Sequence, residues 1–222
     1  MDMNKIAVLT GDIVNSQKNT GESNVRLLAA IQETFIEIEA ALEIKILLEM
    51  WRGDSFQALV EKPEMAMNIA LLFRAGLKSK TESNKDNKSL WDARIGIGIG
   101  EMTYKGETVA TSNGEAFVNS GTAFDQIEKS RYFLNVLTPW PEVTMELSVS
   151  FALADVIITS WSKKQAEAIY LYQLYDNNQV SLAKKMNISQ PALQNRINVN
   201  GNFYRIDLFL KRFTSLIQAY AN

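Results

Sequence analysis

The sequence predicts an α+β protein: a sheet with packed helices over the first 140 residues, followed by an all-helical segment to residue 222. The first of three observations predicts it, and the other two bound its chemistry. Short apolar runs alternate with runs of helical period as far as Leu137, and beyond that point only the helical period remains. The chain has no cysteine and no histidine, which removes disulfides, His-ligated zinc and imidazole catalysis, so any metal must be held by oxygens. Two Gly-Asp pairs, Gly11-Asp12 and Gly53-Asp54, sit at the edges of apolar runs, where a lone carboxylate is costly to desolvate.

The elements follow in order. Lys5 to Thr10 is a buried strand ended by Gly11-Asp12. Asn15 to Asn24 is polar and forms a loop. Val25 to Leu42 has helical period, with Leu27, Leu28, Ile31, Phe35, Ile38, Ala41 and Leu42 on one face and Ser23 or Asn24 as its cap. Ile44 to Met50 is a second strand, Trp51 to Ser55 turns the chain, and Phe56 to Val60 returns as a third. Pro63 opens a second helix, in which Met65, Ile69, Leu72, Phe73 and Leu77 recur at helical spacing. Ser79 to Ser89 is a polar surface loop.

Asp92 to Gly100 is a strand with Gly96, Gly98 and Gly100 on one face, which requires a close neighbour there. Gly114 to Arg131 is a helix with Phe117, Phe124 and Ile127 inward, and Phe133 to Leu137 is a last strand. Met65, Met67, Met102 and Met145 read as core filler.

The first six elements, β-α-β-β-α-β, match the ferredoxin-like motif, here followed by a further α-β pair. In that topology the third strand lies between the first and second and runs antiparallel to the first. Asp12, at the end of strand one, then meets Asp54, at the turn into strand three. Two carboxylates that close repel each other, and a divalent cation relieves the repulsion.

The remainder is helical. Val143 to Trp161 is long and apolar, suited to packing on the sheet or to forming a dimer face. Ser162 caps a helix that runs to Tyr175 and is broken by Asp176-Asn177-Asn178. Val180, Leu182, Ala183 and Met186 form the inward face of a short helix. Asn187 suits a left-handed turn, and Ser189 caps a following helix with Pro191 in its first turn. A loop around Gly201 precedes a final amphipathic helix, Phe203 to Tyr220.

Residues 1–160 carry 15 basic and 22 acidic side chains, a net of −7, whereas residues 161–222 carry 8 and 3, a net of +5. That split suggests a nucleic-acid-facing segment on an acidic body. Gly96-x-Gly98-x-Gly100 lacks the spacing of a dinucleotide fingerprint, and no Walker A pattern occurs. The first residues lack the pattern of a signal peptide and Val149 to Ile158 is too short to span a bilayer, so the expectation is a cytoplasmic protein that does not engage a membrane.

Thr10-Gly11-Asp12-Ile13-Val14-Asn15-Ser16, Arg52-Gly53-Asp54-Ser55-Phe56, Arg94 to Gly100 and Gly114-Glu115-Ala116-Phe117 resemble four landmarks of the class III nucleotidyl cyclase fold. As a set they resemble the SatD family of bacterial proteins. The resemblance divides the chain into a cyclase-like region, residues 1–140, and a helical region, 141–222. It implies that Asp12, Asp54 and the carbonyl of Ile13 hold magnesium or manganese, with Asn15, Ser16, Arg52 and Asn119 near a nucleotide.

The sequence departs from the cyclase pattern elsewhere. Met50 stands where a purine-selecting polar residue is needed, and Val118 and Thr122, or Asn119 and Ala123 after a one-residue shift, stand where an Asn and an Arg are needed. Residues 163–197 resemble the helix-turn-helix of bacterial sigma-like and repressor proteins. That implies contacts to duplex DNA through Lys184, Lys185, Gln190, Gln194, Asn195 and Arg196, in a homodimer. Two functions therefore stand: a DNA-binding regulator with a metal- or nucleotide-binding domain, or a magnesium-dependent nucleotide-processing enzyme whose tail serves packing or dimerisation.

Overall fold

The computed structural model describes residues 5–16, 21–51, 54–81, 90–175 and 178–221. A five-stranded sheet is formed by β1 (Lys5–Ile13), β2 (Ile46–Trp51), β3 (Ser55–Val60), β4 (Ala93–Glu101) and β5 (Leu134–Leu137), in the order β2-β3-β1-β4-β5. β3 is antiparallel to both β1 and β2, β4 is antiparallel to β1, and β5 is parallel to β4. The third strand thus lies between the first two and runs antiparallel to the first, as expected. The loop expected at Ser79 to Ser89 falls mostly outside the described residues.

The helices are α1 (Glu22–Leu42), α2 (Ala66–Lys80), α3 (Glu115–Glu128), α4 (Pro141–Thr159), α5 (Lys163–Leu174), α6 (Gln179–Lys185), α7 (Gln190–Ile197) and α8 (Asn202–Ala221). A 3-10 turn, Pro63–Met65, leads into α2. α1 begins earlier than its periodicity suggests: Gly21, with φ of 56°, stands at its N-cap, and no side chain caps it. The tail helices are capped as expected. Ser162 and Gln165 form a reciprocal capping box on α5, and Ser189 accepts from the Ala192 N–H at the start of α7. Asn178 caps α6 in the same way, and Asn187 takes the left-handed conformation between α6 and α7, with φ of 52°.

One face of the sheet is packed by α1 and α2. Ala7, Leu9, Phe56, Ala58, Val60, Ile95, Ile97 and Ile99 meet Ile31, Phe35, Ile69 and Phe73 in a core that continues into Phe151 of α4, Ile169 and Tyr170 of α5, and Phe213 and Ile217 of α8. One hydrophobic core therefore spans both the sheet and the helices after residue 140. At its centre the rings of Phe35 and Phe73 stack, and Phe56 meets both edge to face. α2 is buried on nearly every side, because the sheet covers one face and α5 the other. Gly76 allows that approach: a Cβ there would press on Thr34 and on the Tyr170 ring.

The opposite face carries α3. Phe117 is half-buried and packs against Ile6, Val8 and Leu59 of the sheet, whereas Phe124, expected inward too, is half-buried outside that cluster; the buried positions are Ala116, Ser120, Ala123 and Ile127. The reason is the glycine face of β4. A Cβ on Gly96 or Gly98 would collide with the backbone of α3 around Ser120 and Phe124, so only small residues of the helix fit directly against β4 and the larger ones lie to the side. Met145 is also displaced from its expected place in the core, standing on the outer face of α4 at high exposure.

A buried charge cluster joins α2 and the start of β4 to α4. Arg74 of α2 donates to both carboxylate oxygens of Asp92 at 2.7 and 2.8 Å, to Asp155 of α4 at 2.6 Å, and to the Thr159 hydroxyl at 2.8 Å. Lys78 adds an ion pair to Asp92 at 2.9 Å, and the second oxygen of Asp155 accepts from the Phe133 N–H at 2.9 Å. Two cations and two anions are thus buried with their hydrogen bonds satisfied. Burial pushes the pKa of Asp92 up, but the Arg74 guanidinium more than offsets this and holds it below the usual carboxylate range.

Candidate functional site

The strand expected to end at Thr10 runs on through Ile13, so Gly11-Asp12 lies inside β1 and is not turn chemistry. Two contacts explain the continuation. Gly11 leaves room for the Phe56 ring, which a Cβ would meet at 2.6 Å. Asp12 is not left alone: Arg94, directly opposite on β4, donates from Nε to Oδ1 at 2.8 Å and from Nη2 to Oδ2. The fork geometry is the bidentate arrangement in which a guanidinium binds a carboxylate best.

The backbone brings the second acid to the same corner. Ile13 N–H donates to the Asp54 carbonyl at 3.0 Å, and Val14 N–H to the Asp92 carbonyl at 2.9 Å. The Ser16 hydroxyl donates to Asp54 Oδ2 at 2.7 Å, and Ser55 reaches Oδ1 at 3.5 Å. Asp12 is paired across the ladder with Ser55, and Ser55 with Trp51. Trp51, Ser55, Asp12 and Arg94 therefore form one row on the α3 face at the strand ends, since directly paired residues share a face. The next row is polar too: Gln57 donates to Thr10 Oγ1 at 3.0 Å, and Thr10 and Ser120 hydroxyls share a hydrogen bond of 2.9 Å.

Arg94 is the functional candidate missing from the sequence-derived site. Its hydrogen bonds with Asp12 outweigh partial burial and hold its pKa above the ordinary value, so it remains charged. Its guanidinium carbon lies 5.9 Å from the centre of the half-buried Phe124 ring. One sequence signal pointed to it: in Arg94-x-Gly96-x-Gly98-x-Gly100 the arginine continues the glycine face, where α3 packs.

The other site residues are distributed as follows. Asn15 is exposed in the left-handed conformation, with φ of 58°. Arg52 lies outside the described residues. Asn119 donates to the Ile99 carbonyl at 2.8 Å; β5 pairs only as far as Gly98, so Asn119 caps the β4 edge beyond it. Val118 and Thr122 are exposed, and Ala123 is buried. Among the described residues no group of three or more Asp or Glu side chains is placed to hold a metal ion. The corner supplies two carboxylates, one of them already paired with Arg94.

In the tail, Leu182, Ala183, Leu193 and Ile197 pack around Ala168 of α5. Lys184, Gln190, Gln194 and Asn195 are exposed. Lys185, also exposed, holds its ammonium 3.8 Å from the centre of the Tyr175 ring. Arg196 is half-buried beside Ser160, Trp161 and Gln165, on the side of α7 that faces the body of the protein.

No family model and no curated protein matches the chain. Among solved structures, it is similar to the GGEEF domain of a diguanylate cyclase from Vibrio cholerae, with 11% identity over 61% of this chain and 83% of that one and a TM-score of 0.44. It is similar to a bacterial light-regulated adenylyl cyclase, with 14% identity over 61% and 77% and a TM-score of 0.46. A dimeric guanylyl cyclase domain from the aquatic fungus Blastocladiella emersonii shares 17% identity over 55% and 74%, with a TM-score of 0.40. Among the described residues no single helix is long and apolar enough to cross a membrane.

Proposed function

We propose that the Asp12–Asp54 corner binds the phosphates of a nucleotide together with a magnesium or manganese ion. The observation that carries this reading is the Ile13 to Asp54 backbone hydrogen bond of 3.0 Å, which holds two acid-bearing segments together at one end of the sheet. Asp12, Asp54 and the Ile13 carbonyl would hold the ion. Magnesium is commonly bound by one or two carboxylates, with phosphate and water completing its shell, so two acids suffice when a nucleotide supplies the rest. When bound, the ion would neutralise the phosphates and polarise their oxygens. Arg94 suits the phosphate itself, because a guanidinium fork matches phosphate as well as carboxylate.

This reading places the chain nearest a magnesium-dependent nucleotide-binding protein of ferredoxin-like, cyclase-like topology, the SatD resemblance included. Phosphoryl transfer is the activity such a corner would support. Cyclisation has weaker support, since Val118 and Thr122, or Asn119 and Ala123, occupy the positions of the ribose-orienting and phosphate-binding residues. Thermal-shift measurements with ATP and GTP in magnesium test the proposal. The melting temperature of the wild type should rise, and that of Asp54→Asn should not. No shift with any nucleoside triphosphate and either metal overturns it.

A second reading, DNA binding by α6 and α7 as a helix-turn-helix, rests on the capped α7, the left-handed Asn187 and the apolar seam against Ala168. Lys184 and Lys185 would meet phosphates, and Gln190, Gln194 and Asn195 base edges. Arg196 has weaker support because it faces the body. Binding to duplex DNA should weaken steeply with salt and fall further in Asn195→Ala; no binding at low salt sinks this reading.

A further inference from the structure

We infer that α4 is the interface through which two copies of this chain pair, antiparallel, across a twofold axis near Val149 and Leu153. α4 carries apolar residues on both its inner and its outer face. Val143, Leu147, Phe151, Ala154 and Ile158 face the core, while Met145, Val149, Leu153 and Val156 point the opposite way and remain 63 to 71% exposed. Their spacing of four, four and three residues makes one continuous stripe along the outer face. A second apolar stripe opposite the core-facing one is unusual on a helix at the surface and marks an interaction site.

The chemistry of the stripe favours a second copy. From Ser148 to Ala154 the helix carries no charge at all, so it offers nothing to a polar partner. It has no lysine or arginine anywhere, the residues that fringe a helix lying on a lipid surface. Its two ends, however, are complementary. Glu142 and Glu146, both exposed, stand at the start of α4, and Lys164, also exposed, follows its end, whereas Lys163 donates to the Thr81 carbonyl of its own chain. Antiparallel pairing sets the acidic end of each copy against the basic end of the other and opposes the two helix dipoles.

The surrounding surface extends the patch towards the area a stable dimer needs, roughly 800 Å² per partner. On one side Arg212 of α8 bridges Glu146 at 2.8 Å, and one turn before it Leu208 is exposed. On the other side Ser148 and Ala152 line a cleft of about 240 Å³ with Tyr132 and Leu134, room for an apolar side chain of the second copy.

Sedimentation velocity on the full chain at tens of micromolar should give twice the monomer mass. The double variant Val149→Glu/Leu153→Glu should sediment as a monomer with an unchanged circular dichroism spectrum. The absence of native cysteine allows an independent arm. Met145→Cys and Val156→Cys lie at opposite ends of the stripe, so mild oxidation should link a mixture of the two variants and leave each alone unlinked. Wild type at monomer mass, flotation of a monomer with zwitterionic vesicles, a disulfide in Met145→Cys alone, or no disulfide in the mixture overturns the inference.

Discussion

Two arginines pair with aspartates in this protein, and they do so to different ends. Arg74 is fully buried, and its partners Asp92 and Asp155 are nearly so; the side chains of Arg94 and Asp12 are 31 and 18% exposed. Around Arg74 both carboxylates are fully bonded, and the cluster ties α2, the start of β4 and α4 together. Around Arg94 the pair is open to water at the strand ends. Asp92 and Arg94 are two residues apart, yet one serves the interior and the other the surface corner. Similar chemistry thus gives a fixed joint where water is excluded and an exchangeable contact where it is not. An arginine that can leave its carboxylate for a phosphate has to be of the second kind.

Breaking the buried joint should cost most. Arg74→Met leaves Asp155 without a cation and Asp92 with Lys78 alone, and should lower unfolding free energy in urea by about 3–5 kcal/mol. Acid should loosen the same joint. The pKa of Asp92 is depressed in the folded state, so its contribution is complete above the unfolded value of about 4 and is lost as pH falls through the lower folded value. Urea unfolding from neutral pH down to about pH 3 should show this fall, and Arg74→Met should lack the Arg74-dependent part of it.

At the open corner the effects should appear in binding. With nucleotide and magnesium at about a hundred times Kd, the wild type should gain about 2.7 kcal/mol, and Asp54→Asn should lose that gain while keeping its ligand-free stability. The smallest change in stability belongs to Arg94→Gln, within about 1 kcal/mol of wild type because the pair is solvated. Calorimetry should nevertheless show its affinity for the magnesium nucleotide reduced roughly tenfold, from the loss of a charged hydrogen bond. A large loss of stability in Arg94→Gln without change in binding would make the two arginines alike.

Much of this was legible from residues that act locally. The strands and helices follow from periodicity, the glycine face of β4 announced a close neighbour, and Ser162, Asn187 and Ser189 marked the ends of the tail helices. What sequence could not give depends on distant chain. Arg94 became a partner of Asp12 only through the β1–β4 register, which aligns residues 82 apart. Arg74 was passed over because α2 was read as having one buried face, whereas α5, far along the chain, buries the other. Phe124 was misplaced because helical period shows which residues share a face, not how near that face comes to a strand. That the segments bearing Asp12 and Asp54 run side by side was legible because topology alone, without register, brings them together.

The shared core also bears on how the chain emerges during synthesis. Residues are added from the N-terminus, and domains ordinarily fold as they are completed. Here the sheet strands are all present by Leu137, but Tyr170 against Gly76, and Phe213 and Ile217 beside the earlier core, arrive only with α5 and α8. Until then the outer side of α2 has no cover, and Arg74 has no Asp155 until α4 is made. The growing chain must therefore carry an exposed apolar helix beyond Leu137, until α5 is complete at Leu174, and that interval, rather than the finished fold, is when it is most open to chaperones and to aggregation.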